Sequence, residues 1–334
     1  MNRNGSVGLV FAGGGGKGAY EVGVWRALEK FDLTKTITHV SGTSVGALNA
    51  ALFAQGDCLL AEDVWRKIDQ DIVLTPAYLK NTNMLIQILA GIDKIGLKNF
   101  TKKSANHFFS NIKNQGLFSR KGLSLIIDTY VDLKAISSSS VITYAACFNK
   151  KTLAIEYFKL NALNDEKIKS ILLATSAIPV VFDSITIDNQ EYFDGGLGDN
   201  IPIKPLYDAG VKTIFVVNLN ASKTIDSNLF PDTTLFEITP QKSLGSFIEG
   251  TLNFNPSSLE QKMLSGYEDA MRIIKPVFKL GEIEYRRNQI MQNIAKDEQI
   301  ARNKNYNDQL RIEKLQANRQ NSLLDLSDII KRGL

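Results

Sequence analysis

Over roughly residues 6–220, short apolar runs closed off by glycine-rich or polar clusters take turns with stretches whose apolar positions recur at helical spacing. Residues 6–12, S-V-G-L-V-F-A, read as a short buried strand that runs straight into Gly13, Gly14, Gly15, Gly16, Lys17 and Gly18. In the A-Y-E-V-G-V-W-R-A-L-E-K that follows, Val22, Trp25 and Leu28 share one helical face. A second strand is predicted around Ile37, Thr38 and Val40, with a helix behind it over Ala47, Leu48, Ala50, Ala51 and Leu52. Residues 171–187 read as an apolar helix, a turn at Pro179 and a strand, and residues 211–219 as a further buried strand. From 240 to 275 the pattern turns helical, with Met263, Leu264, Tyr267, Ala270, Met271 and Ile274 at helical spacing. The tail, 281–334, is rich in Asn, Gln, Lys, Arg and Glu, without proline and without glycine between Gly281 and Gly333. One or two long polar helices are predicted there.

Two turns in this pattern hold candidate chemistry. Strand, glycine loop and helix together suit negative charge, because loop N–H groups converge on an anion at a helix N-terminus. A nucleotide P-loop needs G-x-x-x-x-G-K-[ST], and Gly18 follows Lys17, so that reading fails. Gly13, Gly15 and Gly18 fit the dinucleotide pattern G-x-G-x-x-G, but the next strand does not end in the acidic residue such a site uses. An oxyanion hole is the third use, and it suits a serine at the end of a neighbouring parallel strand.

That serine is Ser44, in the G-x-S-x-G of Gly42, Thr43, Ser44, Val45 and Gly46. Between a strand and a helix this spacing makes a sharp turn with the serine at its tip, although a glycine-bounded turn can also hold a serine with no task. A nucleophile needs a base, and the chain has two histidines, His39 and His107. His39 lies on the incoming strand, too far back to reach the tip, and no histidine follows residue 107, where the order Ser, acid, His would place it. The base must therefore be another group. In E-Y-F-D-G-G-L-G-D-N-I-P, residues 191–202, Asp194 closes an aromatic strand at a tight turn where its carboxylate can face a pocket; the same residues also make an ordinary Asp-Gly turn.

Composition narrows the setting. Apolar residues at 44% and charged residues at 22% of 334 are ordinary for a globular chain, and a net charge of +4 does not announce a nucleic-acid partner. Cys58 and Cys147, in apolar surroundings and without C-x-x-C spacing, read as buried reduced thiols, which points to a cytoplasmic protein. No run of about 18 apolar residues is present, so membrane contact is expected to be peripheral. Residues 76–127 are the candidate surface for it. There Lys80, Lys94, Lys98, Lys102, Lys103, Lys113, Arg120 and Lys121 face Asp93 alone, a local balance of +7, with Phe100, Phe108, Phe109 and Phe118 interleaved. Basic and apolar residues together suit anionic headgroups, and equally a lid whose phenylalanines pack on the core.

Taken jointly, G-G-G-G-K-G (Gly13–Gly18), G-T-S-V-G (Gly42–Gly46), A-T-S-A-I-P (Ala174–Pro179) and D-G-G-L-G-D-N-I-P (Asp194–Pro202) resemble the patatin-like phospholipase family, with a weaker continuation at Gly266–Ala270. The resemblance implies an α/β fold, a three-layer α/β/α sandwich with a mainly parallel central sheet. Its expected domain covers 1–280 with a helical insertion or lid at about 76–127, and 281–334 forms a polar helical extension. The resemblance also implies a lipid acyl hydrolase with Ser44 as nucleophile and Asp194 as base. The oxyanion hole falls in the glycine loop, chiefly at Gly14, Gly15 and Gly16, and Gly13, Lys17, Gly18, Gly42, Gly46, Gly195 and Gly196 support these motifs. Expected substrates are phospholipids or lysophospholipids, with no metal or organic cofactor. Acyl transfer or thioester hydrolysis on the same site is the nearest alternative, and a lipid- or phosphate-binding signalling module without turnover is another. The tail reads first as a solvated helix laid on the domain, and it is also where a protein partner or activator would bind.

Overall fold

The computed structural model describes residues 6–75, 118–179 and 181–331, with 322–331 as backbone only. His107 and most of the basic insertion, 76–117, lie outside the described residues, and so does the membrane contact expected of them. The chain divides into two compact units, Met1–Ile274 and Lys275–Leu334.

In the first unit one mixed sheet runs β5-β6-β3-β2-β1-β7-β8, with β4 also paired to β3. The strands are β1 (Val7–Phe11), β2 (Ile37–Thr43), β3 (Ile142–Asn149), β4 (Ala154–Lys159), β5 (Ile185–Ile187), β6 (Gln190–Asp194), β7 (Thr213–Val217) and β8 (Thr234–Ile238). The stretch β3-β2-β1-β7-β8 is parallel throughout, and the β3–β4, β3–β6 and β5–β6 pairs are antiparallel. Leu9, Val10 and Phe11 are all fully buried, as expected for a parallel strand covered on both faces. The helices are α1 (Ala19–Lys30), α2 (Val45–Gln55), α3 (Cys58–Lys67), α4 (Gln70–Val73), α5 (Lys121–Tyr130), α6 (Leu133–Ser138), α7 (Asp165–Thr175), α8 (Lys204–Asp208) and α9 (Pro256–Lys331). Side-chain oxygens of Asp57, Asp132 and Asn164 accept the first free N–H groups of α3, α6 and α7 and fix where those helices begin.

The alanine-rich α2 is buried all round. Ala50, Leu52 and Phe53 join a core with β1 and α1, while Ala47, Ala51 and Ala54 join a second core with β3, α5, α6 and α7. Small side chains let both cores approach the helix closely.

The register around β3 decides where the functional residues meet. Tyr144 to Asn149 pair with β4 along one edge of β3, so the other partners must share its opposite edge. On that edge Ala146 pairs with Thr43, the last residue of β2, and the next residue, Cys147, pairs with Asp194, the last residue of β6. Running in opposite directions, β2 and β6 thus end against each other on adjacent positions of one strand. Ser44 and Asp194 emerge at that junction.

In the second unit the backbone is helical as far as Lys331, and residues 275–321 are exposed throughout. The polar helical tail is one continuous element, α9, rather than two. No helix among the described residues is long and apolar enough to cross a membrane. Both cysteines are free and buried.

Candidate active site

Ser44 sits between β2 and α2 with φ 55° and ψ −128°, a backbone region that L-residues rarely occupy. The turn is this sharp because glycines flank it. A Cβ on Gly42 would lie 2.2 Å from the Gly46 carbonyl carbon, and one on Gly46 would lie 2.4 Å from the Phe11 carbonyl oxygen. The Ser44 hydroxyl does not cap α2; it lies near the Asp194 carboxyl, close enough to favour its ionised form. From behind, the Ser44 N–H donates to Thr175 Oγ1 at 2.9 Å, and the Thr175 hydroxyl donates to the Ala146 carbonyl, which ties the turn to β3.

Asp194 is 5% exposed. Its Oδ1 accepts the Gly196 N–H at 2.7 Å, and its own N–H donates to the Ala177 carbonyl at 2.9 Å. Burial drives the carboxyl up to about 6, against the opposing pull of the nearby Ser44 hydroxyl, the Gly196 N–H and the Arg120 charge. A carboxylate at this level is ionised at neutral pH and still basic enough to take a proton.

Arg120, one of the basic residues of the insertion, faces inward. Its guanidinium donates to the carbonyls of Leu173 and Asp183 and lies over the Phe182 ring, 5.2 Å from its centroid. Burial lowers its own ionisation to about 10, so it remains a cation that favours the ionised form of Asp194. Arg120→Gln is therefore expected to move the acid limb of the kcat/KM profile to higher pH, and Arg120→Lys to move it less. A limb that stays in place in Arg120→Gln would show that this charge does not reach Asp194.

The glycine loop leaves β1 and is fastened to the Asp194 turn by Asn200. Gly13 N–H donates to the Asn200 carbonyl at 3.0 Å, and Asn200 Nδ2 donates back to the Gly13 carbonyl at 2.9 Å. The loop then coils into a short helical turn, Gly15–Gly18, with Lys17 N–H bonded to the Gly14 carbonyl. Gly15 has φ +53°, and a Cβ on it would lie 2.1 Å from the Thr251 carbonyl oxygen. The segment Phe247–Phe254 thus lies directly on the loop, a contact that tolerates no side chain.

Two cavities meet at Ser44. One is apolar and runs along α2, lined by Leu48, Leu52, Trp65, Leu123, Ile127 and Phe254 among others. The other holds Gly13, Gly14, Gly15, Lys17, Asp194 and Asn200 in its wall. Gly15, Ser44, Ile178 and Thr251 border both. Among the described residues no group of three or more His, Cys, Asp and Glu side chains is placed to hold a metal ion.

Ser44, Asp194 and the glycine loop, apart from one another in sequence, are thereby brought to one place. A family model of patatin-like phospholipases matches residues 9–207. The chain belongs to the patatin-like phospholipase family. Among relatives in the family, Lysophospholipase NTE1 of Coccidioides immitis is 26% identical over 223 residues, 67% of this chain and 12% of that protein. The "Probable lipid hydrolase 463L" of Invertebrate iridescent virus 6 is 26% identical over 208 residues, 58% of this chain and 61% of that one. The chain spans 12 to 14% of the length of the fungal lysophospholipases of Coccidioides immitis and Aspergillus terreus. Among solved structures, VipD from Legionella pneumophila aligns with TM-score 0.45 and 14% identity over 83% of this chain and 67% of that one.

Three residues of the site escaped the sequence patterns. Thr175 lies within one of the patatin-like motifs, but nothing in its type marked it as the tie of Ser44, whereas Asn200 is read from the sequence as shaping the Asp194 loop, with its bond to Gly13 unforeseen. Arg120 was one basic residue in a basic stretch. Thr251 lies beyond the family match and touches the loop through its carbonyl, which no residue type announces.

Proposed function

We propose that the protein is a lipid acyl hydrolase of phospholipase A or lysophospholipase type, working through Ser44 and Asp194. The observation that carries this reading is the buried Ser44 beside the buried Asp194 carboxyl, at the meeting point of an apolar and a polar cavity. Asp194, ionised above about pH 6, accepts the Ser44 proton as Oγ attacks the acyl carbonyl. The negative oxygen that forms faces the glycine loop, where the first N–H groups of a helical turn have no partner inside it, and the N-terminal end of α2. Collapse of this intermediate expels the alcohol, which takes the proton from Asp194 and leaves the acyl group on Ser44. Water, deprotonated by the same carboxylate, then releases the fatty acid.

The apolar cavity suits one acyl chain. The polar cavity, with Lys17 in its wall, suits a glycerol backbone with a phosphate headgroup, so a lysophospholipid fills both at once. The names of the fungal relatives support the same substrate class. Fatty-acid release from lysophosphatidylcholine, diacylphospholipid vesicles and a long-chain acyl thioester, with labelling by a serine-directed fluorophosphonate, tests the reading. Release from the oxygen esters together with labelling supports it. Folded wild-type protein that shows neither would sink it, and thioester cleavage alone would move the chemistry to the alternative acyl donors.

A further inference from the structure

The glycine loop is held where it runs into α1 by side chains that take no part in the Ser44–Asp194 pair. Glu21, in the first turn of α1, is fully buried, and Asn49, on the helix that begins behind Ser44, is 1% exposed. Asn49 Nδ2 donates to Glu21 Oε2 at 2.8 Å and to the Gly18 carbonyl, where the loop ends, at 3.0 Å. Trp65 Nε1, which can only donate, gives its hydrogen to Asn49 Oδ1 at 2.9 Å and so fixes which way the amide points.

Such a cluster is a costly way to fill space. Burial pushes the Glu21 carboxyl well above the usual carboxylate range, and its Oε1 has no hydrogen-bond partner among the described residues. Apolar side chains of similar volume commonly serve stability as well or better. What the cluster does that apolar packing cannot is make directional bonds, and these join the Gly18 carbonyl, α1 and α3 to α2. A loop whose glycines allow many conformations is thereby held in one, in register with the turn that carries Ser44.

We propose that Glu21 and Asn49 are positioning residues that set the glycine loop against Ser44, so that the loop N–H groups meet the oxyanion as it forms. The proposal rests on the reading of Ser44 as nucleophile and the loop as oxyanion donor. Oxyanion donors act only within a narrow range of distances, and a displacement of about 1 Å can cost about 10²-fold in rate. The loop also walls the two cavities, but hydrogen bonds to an oxyanion depend on distance far more steeply than contacts with a bound chain or headgroup, so the effect falls mainly on kcat and little on KM.

The experiment uses the full chain as wild type, Ser44→Ala, Glu21→Ala, Glu21→Gln and Asn49→Ala. It measures kcat and KM on lysophosphatidylcholine, the rate of fluorophosphonate labelling, and the thermal midpoint of each variant. Glu21→Ala and Asn49→Ala are expected to lose about 10²-fold in kcat, with KM within about threefold and labelling slowed in parallel. Glu21→Gln keeps a carbonyl oxygen to accept from Asn49 and is expected within about tenfold of wild type. The proposal is overturned by a folded Glu21→Ala with kcat near wild type, by equal losses in Glu21→Gln and Glu21→Ala, by a loss confined to KM, or by failure of all three variants to fold. A wild type as inactive and unlabelled as Ser44→Ala overturns instead the hydrolase reading, and this inference falls with it.

Discussion

Ser44→Ala is expected to lower lipid hydrolysis by at least about four powers of ten while leaving the fold intact. The Ser44 hydroxyl caps no helix, and its neighbour Asp194 keeps the Gly196 N–H when the hydroxyl is gone. The contacts that hold the turn are made by the backbone, through the Ser44 N–H to Thr175, and alanine preserves them. The loss therefore falls on the chemistry, and fluorophosphonate labelling should vanish with it. A second variant separates the nucleophile from the strain it sits in. At φ 55° and ψ −128° any residue with a Cβ is destabilised by about 1–3 kcal/mol, and glycine is not. Ser44→Gly should thus melt no lower than Ser44→Ala, the reverse of the usual order in which glycine is the less stable. A folded Ser44→Ala that keeps more than about a hundredth of the activity would remove Ser44 from the mechanism.

How much of this was legible in the sequence depended on whether a feature is local. The glycine loop and the turn at Ser44 are properties of a few adjacent residues, and glycine at 42 and 46 reports a backbone approach that only glycine permits. The buried strands read correctly because parallel strands covered on both faces are continuous apolar runs, as in Leu9–Phe11. The hairpin of β3 and β4 gave no such signal. Its turn carries no glycine, and Leu153 takes the left-handed conformation, φ 53°, in its place. That hairpin nevertheless decides the site, because β4 occupies one edge of β3 and so puts β2 and β6 end to end on the other. Motif order names Ser44 and Asp194; only the register of β3 brings them together. The Glu21–Asn49–Trp65 cluster lies wholly in regular helices, where a polar residue on a buried face looks like one more position of an amphipathic pattern.

Asp194→Asn is expected to cost at least about 10³-fold in kcat and, above pH 6, to make the protein more stable. The amide can still accept the Gly196 N–H through Oδ1, so the turn keeps its form, but an amide cannot take the Ser44 proton. The stability gain follows from the raised ionisation of Asp194. In the folded chain its carboxyl titrates at about 6, against 3.8 for an ordinary aspartate, because burial disfavours its charge. Near pH 3 both folded and unfolded chains hold the proton, and asparagine brings no advantage. Between about 4 and 6 the unfolded chain releases its proton while the folded chain retains it, so wild-type stability falls steadily as pH rises. Above 6 both are ionised and the penalty levels off, at a ceiling on the order of 2–3 kcal/mol. The thermal midpoint of Asp194→Asn minus that of the wild type should therefore grow from pH 4 to pH 6 and then stay flat. The acid limb of wild-type kcat/KM should fall in the same window, since the ionisation that destabilises the fold is the one that makes the base. A difference in midpoint that does not change from pH 4 to pH 8 would mean that Asp194 is not the group whose charge is held at the expense of stability.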